Sequence, residues 1–395
     1  MIIGYNRILI PCVSDEGGYA VISTHVKSSN LSRRLLIHQK FIVMSKKVTT
    51  SSPKLFIGID IHKKSWKVHF CTDISEGSTS TFAPTASKLR KYVSKYYSKH
   101  EVTVAYEAGC CGFEHARQFI GFSWATLVVN AADVPRPAKQ SIVKTDKIDA
   151  KNIAKQLRAG LLKSITIPDT DRECLRSLTR QRTCLLKDLK RTKTRIKSLL
   201  LYYNVHVPEQ FDNASWTRAF RQWLKDIEWN YVNIDSTLKS LLKQLDFLDE
   251  MVRDTANQMR AYCKKYLKHD YLLLRSVPGI AGLTASYILA EVGDLRRFHS
   301  FKKFAGYIGI LPGIYSSGEN ESVRGVTPRA NYVVRSLIIE ASWVAIRKDP
   351  VMQEYYRKHA GKNSKAAIFK VSRKLLSRVH AVIKTDTPYQ LGLVS

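Results

Sequence analysis

Apolar and polar residues change rhythm several times along this chain, and each change marks an element. From Leu55 the run LFIGID is apolar, HKKS breaks it, and WKVHFCT resumes it, which is the pattern of a β-hairpin. A third strand is predicted near Thr79–Phe82, followed by a helix over SKLRKYVSKYYSKH. EVTVAYE then reads as a strand, GFEHARQFIGF as a short helix, WATLVVNA as a strand, and TDKIDAKNIAKQLRAG as an amphipathic helix closed by Gly160. Hairpin strands giving way to β-α alternation predict a mixed α/β sheet.

Beyond it the period becomes helical. No Gly or Pro interrupts the chain from Asp171 to about Tyr203, where Arg176, Arg180, Lys187, Arg191 and Arg195 recur at roughly helical spacing, so a long basic helix is expected. After a connector carrying Trp216, Trp223 and Trp229, the residues Ile234, Leu238, Leu241, Leu245, Leu248, Val252, Thr255 and Met259 follow in steps of four and three. That heptad seam predicts a coiled-coil hairpin arm or a dimer contact. From Tyr271 to Lys384, short helices separated by Gly-rich turns predict a mostly helical domain.

The expected organisation is an extension over 1–50, an α/β domain over 51–168, a basic helical and coiled-coil connector over 169–268, a helical domain over 269–385 and a tail over 386–395. The extension has no clean period and is expected to be either disordered or upstream of a true start at Met44. Recovery of residues 1–43 by mass spectrometry from natively expressed protein would overturn the start at Met44.

Charge narrows the function. Among 395 residues, 64 Lys plus Arg face 33 Asp plus Glu, a formal net charge of +31 that exceeds any need of solubility and points to a polyanionic partner. Hydrophobic residues make up 44% of the chain, enough for a sizeable core, so a disordered basic tail is excluded. Seven cysteines form no C-x-x-C pair, which argues against a zinc finger and for reduced thiols. With no apolar run of 18 residues and no signal peptide, a soluble cytoplasmic protein is expected.

Four carboxylates stand where strands end or a helix begins. Asp60 closes the first strand, Glu107 closes VTVAYE, and Asp146 and Asp149 share a face in the first turn of a helix. Phosphodiester chemistry needs such clusters, because metal ions must activate the attacking oxygen and stabilise the leaving one. Taken singly, each acid has a plainer role as a solvated strand flank or a complement to the helix dipole.

The segments GIDIHKKSWKVHF, YEAGCCGFEHARQF and VKTDKIDAKNIAKQLRAGLLKSITIPD resemble the N-terminal pattern of the DEDD-type insertion-sequence transposases. That family includes the pilin-gene invertase Piv and the bridge-RNA-guided recombinases. The resemblance implies an RNase H-like (RuvC-like) N-terminal domain in which Asp60, Glu107, Asp146 and Asp149 bind Mg²⁺ or Mn²⁺. Further on, FAGYIGILPGIYSSGENESVRGVTPRANYVVRSLIIEAS resembles the family's C-terminal domain, where a serine directly before glycine is the nucleophile. That position is Ser317, with Ser316 its neighbour, although Ser and Gly together are also the usual composition of a turn.

Several basic and glycine positions complete the expectation. Arg324, Arg329 and Arg335 are candidates to neutralise the reacting phosphate or grip its flanks. SVPGIAGLTASYIL resembles a helix-hairpin-helix, whose turn at Pro278, Gly279 and Gly282 would offer backbone N–H groups to a phosphate. Arg176, Arg180, Lys187, Arg191 and Arg195 would run along a phosphate backbone.

The resemblance covers roughly residues 54–385 and implies a prokaryotic, nucleoid-associated DNA transposase. Its partners would be double-stranded element and target DNA, further copies in a homodimer or homotetramer, and either a guide RNA, as in the bridge-RNA-guided recombinases, or none, as the invertase reading allows. Two rivals stand beside it: a RuvC-like structure-specific nuclease with no covalent intermediate, and a non-enzymatic basic nucleic-acid-binding protein. The paired Cys110-Cys111 and the run Pro328-Arg329-Ala330-Asn331 depart from the family pattern and leave the turn geometry at those points open.

Overall fold

Lys54–Ile61 (β1) is apolar almost throughout because it lies at the centre of a sheet covered on both faces. It pairs antiparallel with Trp66–Thr72 (β2), as the alternation predicts, and β2 pairs antiparallel with Thr79–Phe82 (β3). On its other side β1 pairs parallel with Glu101–Glu107 (β4), which pairs parallel with Ala125–Val129 (β5), so the order is β3-β2-β1-β4-β5. The computed structural model describes residues 52–135, 146–213, 215–229, 232–317, 320–326, 330–361 and 363–392, without side chains at 232 and 312–329. The N-terminal extension expected over 1–50 lies outside the described residues.

Helices Ala86–Tyr96 (α1) and Glu114–Gly121 (α2) cover one face, packing Leu89, Val93 and Phe119 on Leu55, Ile57, Ile59, Val104 and Tyr106. Asp146–Arg158 (α3) covers the other, with Ile153 and Leu157 against Ala105 and Val129. A mixed sheet of this order, flanked by helices, fits the RNase H-like expectation. Glu76, in the β2–β3 turn, faces Lys151, Lys155 and Arg158 of α3 at 3.9, 2.8 and 3.9 Å, so the turn and the helix are held together.

Thr170–Tyr202 (α4) is the long basic helix, capped by Asp169, whose side chain accepts from the Arg172 N–H. Its partner is Val232–Tyr266 (α6), and the two run antiparallel: Tyr262 reaches Asp171 at 3.4 Å, while Thr192 reaches Gln244 at 3.3 Å. The outer half of this pair buries Leu185, Leu189, Ile196 and Leu200 against Leu238, Leu242, Leu245 and Leu248. Arg218–Lys225 (α5) closes it with Phe220 and Leu224. The seam of α6 is thus filled from within the chain.

The inner ends of α4 and α6 join a second core. Leu175, Met259 and Cys263 pack with Lys268–Ser276 (α7), Gly282–Val292 (α8), Phe301–Ile308 (α9), Tyr332–Lys348 (α10), Pro350–Ala360 (α11) and Ser364–Thr385 (α12). Within this helical region stands a two-stranded sheet, Pro312–Ser317 (β6) against Asn320–Val326 (β7). The tail after α12 returns to the core, where Tyr389 donates to Asp349 Oδ2 at 2.6 Å and its N–H donates to Ser276 Oγ at 2.8 Å. No helix among the described residues is long and apolar enough to cross a membrane.

Candidate functional site

Alternation and register put the acids on one side of the sheet, although among the described residues only Asp60 and Asp146, with His62, bring donor atoms within 4.8 Å of one another. Phe56 and Ala105 face α3, so Gly58 and Asp60 on β1, and Glu107 on β4, lie on that same face. Gly58 pairs with Ala105, which puts Asp60 beside Glu107 at the carboxyl ends of adjacent parallel strands. Asp146 and Asp149 occupy the first turn of α3, which crosses the same face. Small residues allow that crossing: a Cβ built on Gly58 would fall inside 3.0 Å of Ala150 O, Ala154 N and Ala154 Cβ.

Asp60 is less exposed than Asp146, their side chains 21% and 57% accessible. Burial is the main cause holding its carboxyl above the ordinary range; the charges of Asp146 and Asp149 add to that, and His62 opposes it. His62 Nε2 lies 3.1 Å from Asp60 Oδ2 and 3.6 Å from Asp146 Oδ2. One donor atom from each of Asp60, His62 and Asp146 lies within 4.8 Å of the others, a grouping able to hold a cation. His62 was not among the residues singled out from the sequence, yet its signal was present: on extended backbone it follows Asp60 by two positions and so shares its side.

The loop after Glu107 carries Cys110 and Cys111, whose sulfurs are 4.0 Å apart, and Cys111 S–H donates to the Ile61 carbonyl at 3.9 Å. This contact ties the ends of β1 and β4 together beside the acids. Tyr106 contributes from beneath, donating from its hydroxyl to the Gly112 carbonyl at 3.1 Å, and burial pushes its pKa up to about 12.

Ser316 and Ser317 end β6, paired in register with Glu321 and Asn320 of β7. The side chains of Ser317, Arg324 and Arg329 lie outside the described residues. Arg335 lies in the first turns of α10, whose N-cap is Asn331, accepting from the Val334 N–H at 3.1 Å. Of the run Pro328-Arg329-Ala330-Asn331, the described residues Ala330 and Asn331 lead into this capped helix.

The basic positions of α4 divide into two groups. Arg176 is turned inward: its Nε donates to the Ala290 carbonyl at 2.9 Å and faces Glu291 at 3.9 Å, joining α4 to α8. Arg180 is exposed and lies 3.6 Å from Glu291. Lys187, Arg191 and Arg195, with Lys190 and Thr194, line one open groove on the outer part of the helix.

At the glycine turn between α7 and α8, Gly279 has φ +86° and faces the Ala341 carbonyl of α10 so closely that a Cβ would not fit. Gly282 is equally crowded by the Tyr271 hydroxyl. Both glycines therefore meet a packing requirement, whatever the turn binds.

The chain resembles proteins of one kind at both ends. Residues 57–205 match a family model of IS110-type DEDD transposases, and residues 271–357 match the transposase model of the IS116/IS110/IS902 family. A putative transposase, y4qE, of Sinorhizobium fredii is 27% identical over 292 residues, covering 73% of this chain and 71% of the relative. The transposase for insertion sequence element IS1111A of Coxiella burnetii is 27% identical over 266 residues, 66% of this chain and 70% of the relative. The pilin gene-inverting protein of Moraxella bovis is 24% identical over 351 residues, 85% of this chain and 98% of that protein.

Proposed function

This chain belongs to the IS110-type transposase family, to which the pilin gene-inverting proteins are related, and on that premise we propose that it cuts and rejoins the DNA of an insertion sequence through Ser317. The observation that carries the proposal is the convergence of Asp60 and Glu107 on the sheet face crossed by the first turn of α3, where Asp146 and Asp149 stand. Carboxylates gathered at one end of a sheet around the partly buried Asp60 are what phosphodiester chemistry requires.

Asp60, Glu107, Asp146 and Asp149 would hold Mg²⁺ or Mn²⁺. The cation supplies positive charge where the attacking and leaving oxygens become anionic. Ser317 Oγ loses its proton and bonds to phosphorus as one P–O bond of the strand breaks, and the displaced oxygen leaves as a hydroxyl. The phosphoserine ester conserves the bond energy, so a second hydroxyl attacks it and reseals a strand without ATP. Arg324, Arg329 and Arg335 are the first three cations that follow this serine in sequence and would neutralise the reacting phosphate. An element-encoded guide RNA would choose the target, and a homodimer or homotetramer would span two duplexes.

The test is incubation of the full chain with end-labelled element-junction DNA, Mg²⁺ and the flanking RNA, supplied or omitted. A denaturant-resistant protein–DNA adduct is expected for the wild type and for Ser316→Ala, and is expected to vanish in Ser317→Ala and on chelation. Strand cleavage that survives Ser317→Ala with no adduct would replace the recombinase reading with a metal-dependent nuclease.

The groove of α4 carries its own expectation. Each phosphate neutralised by a cation releases counterions and adds about 0.9 to the salt slope of binding. The triple variant Lys187→Ala, Arg191→Ala, Arg195→Ala should therefore lose about 2.7 from the slope of log affinity against log salt. Arg176→Ala should leave the slope in place and lower the melting temperature, because Arg176 joins α4 to α8. Titration of labelled duplex between about 50 and 200 mM salt checks both, and an unchanged slope in the triple variant would remove this face from the DNA path.

A further inference from the structure

Four carboxylates account for the cation in the proposed mechanism, yet the side chain placed against two of them is an imidazole. His62 lies just past the end of β1, two residues beyond Asp60, and reaches the face over which α3 begins. Its Nε2 stands 3.1 Å from Asp60 Oδ2 and 3.6 Å from Asp146 Oδ2. Neighbouring donors on one octahedral ion, each about 2.1 Å from it, stand about 3 Å apart, so both separations suit donors sharing a cation. The ring is half exposed, at 53%, and Asp146 at 57%, which leaves the three donors open to an ion and its waters.

We propose that His62 is a nitrogen ligand of the cation and that it makes this site favour Mn²⁺ over Mg²⁺, an inference that rests on the metal reading given above. Mg²⁺ takes oxygen donors in strict octahedral geometry and gives up its waters reluctantly, whereas transition ions gain from an imidazole. An all-carboxylate cluster lacks that preference. Binding releases one proton to solvent, the one that Nε2 and Asp60 share when no ion is bound, and leaves the neutral ring with N–H at Nδ1 and the Nε2 lone pair on the cation. The carboxylates supply charge, and His62 supplies selectivity.

Metal binding by the full chain, without nucleic acid, tests this directly. Mn²⁺ and Mg²⁺ affinities are measured by calorimetry for the wild type, His62→Ala, His62→Asn and Asp60→Asn, together with spin-echo spectra of bound Mn²⁺. The wild type should show ¹⁴N modulation. Both His62 variants should lose it and bind Mn²⁺ about tenfold more weakly or worse, with Mg²⁺ affinity changed by less than about threefold. Asp60→Asn should lose both ions. If Mn²⁺ affinity is retained in either His62 variant, or the wild type shows no ¹⁴N signal, His62 is not a ligand. In that event, loss of binding in Asp60→Asn would leave the carboxylate site standing, whereas equal binding by all four proteins would remove both readings. Circular dichroism of the variants guards against misfolding, which the exposed position of His62 makes a small concern.

Discussion

Asp60→Asn should lower DNA strand cleavage by about 10³-fold or more while leaving the fold as stable as before or more so. The loss in rate follows from charge: several kcal/mol of stabilisation at the reacting oxygens depends on the cation, and each 1.36 kcal/mol is a factor of ten. The gain in stability follows from the same crowding. Asp60 is the acid that burial, Asp146 and Asp149 all disfavour in its ionised form, so at neutral pH without metal its charge opposes folding. Asparagine keeps the shape and removes the charge, and His62 beside it can still hydrogen-bond. With a cation present the order reverses, because the wild type gains binding energy that the variant lacks. Thermal melts with and without Mn²⁺, set beside cleavage rates, read both effects. A variant that melts lower in chelator and still cuts DNA would show Asp60 to be a structural acid.

This opposition between stability and function was legible in part from sequence. The end of an apolar strand at Asp60, the end of another at Glu107 and a helix opening with Asp146 and Asp149 were all visible as periods changing. What joined them was not, because convergence depends on the parallel register of β1 with β4, and register is a pairing between distant segments. His62 was overlooked for a related reason, since its reach to Asp146 crosses from a strand end to a helix start. The basic helix shows another limit. Spacing places Arg176 and Arg191 along one helix, but only the packing of α8 reveals that Arg176 is engaged with Ala290 while Arg191 remains in the open groove.

The seam of α6 and the serine hairpin differ from expectation in instructive ways. Leu242 is fully packed where the heptad count pointed to Leu241, which is only partly buried. The count returns to the buried line at once, since Leu245, Leu248, Thr255 and Met259 are all buried, so the seam holds and one position on it shifts by a residue. Around Ser317, within a domain expected to be mostly helical, β6 pairs antiparallel with β7. Short alternation in GIYS and SVRGV on either side of Gly318 was the available signal, weak because strands of that length bury little.

Gly58→Ala should cost the protein about 3 kcal/mol or more and abolish cleavage, although glycine to alanine is the smallest possible change and Gly58 touches no reacting atom. The reason is what the added Cβ meets. Two of its three nearest neighbours are the Ala150 carbonyl oxygen and the Ala154 nitrogen, backbone atoms of a helix that cannot rotate away. Relief requires α3 to lift from the sheet, and α3 carries Asp146 and Asp149. Displacement of about 1 Å is enough to break a metal site or a catalytic alignment, so cleavage fails before the fold does. A second-site change distinguishes this account from simple overpacking of side chains. Adding Ala154→Gly removes the one side-chain obstacle and leaves both backbone contacts, so the double variant should remain inactive and unstable. Recovery of Mn²⁺ binding and cleavage in that double variant would mean that α3 yields to a side-chain repacking, and that the close approach at Gly58 does not set the position of the acids.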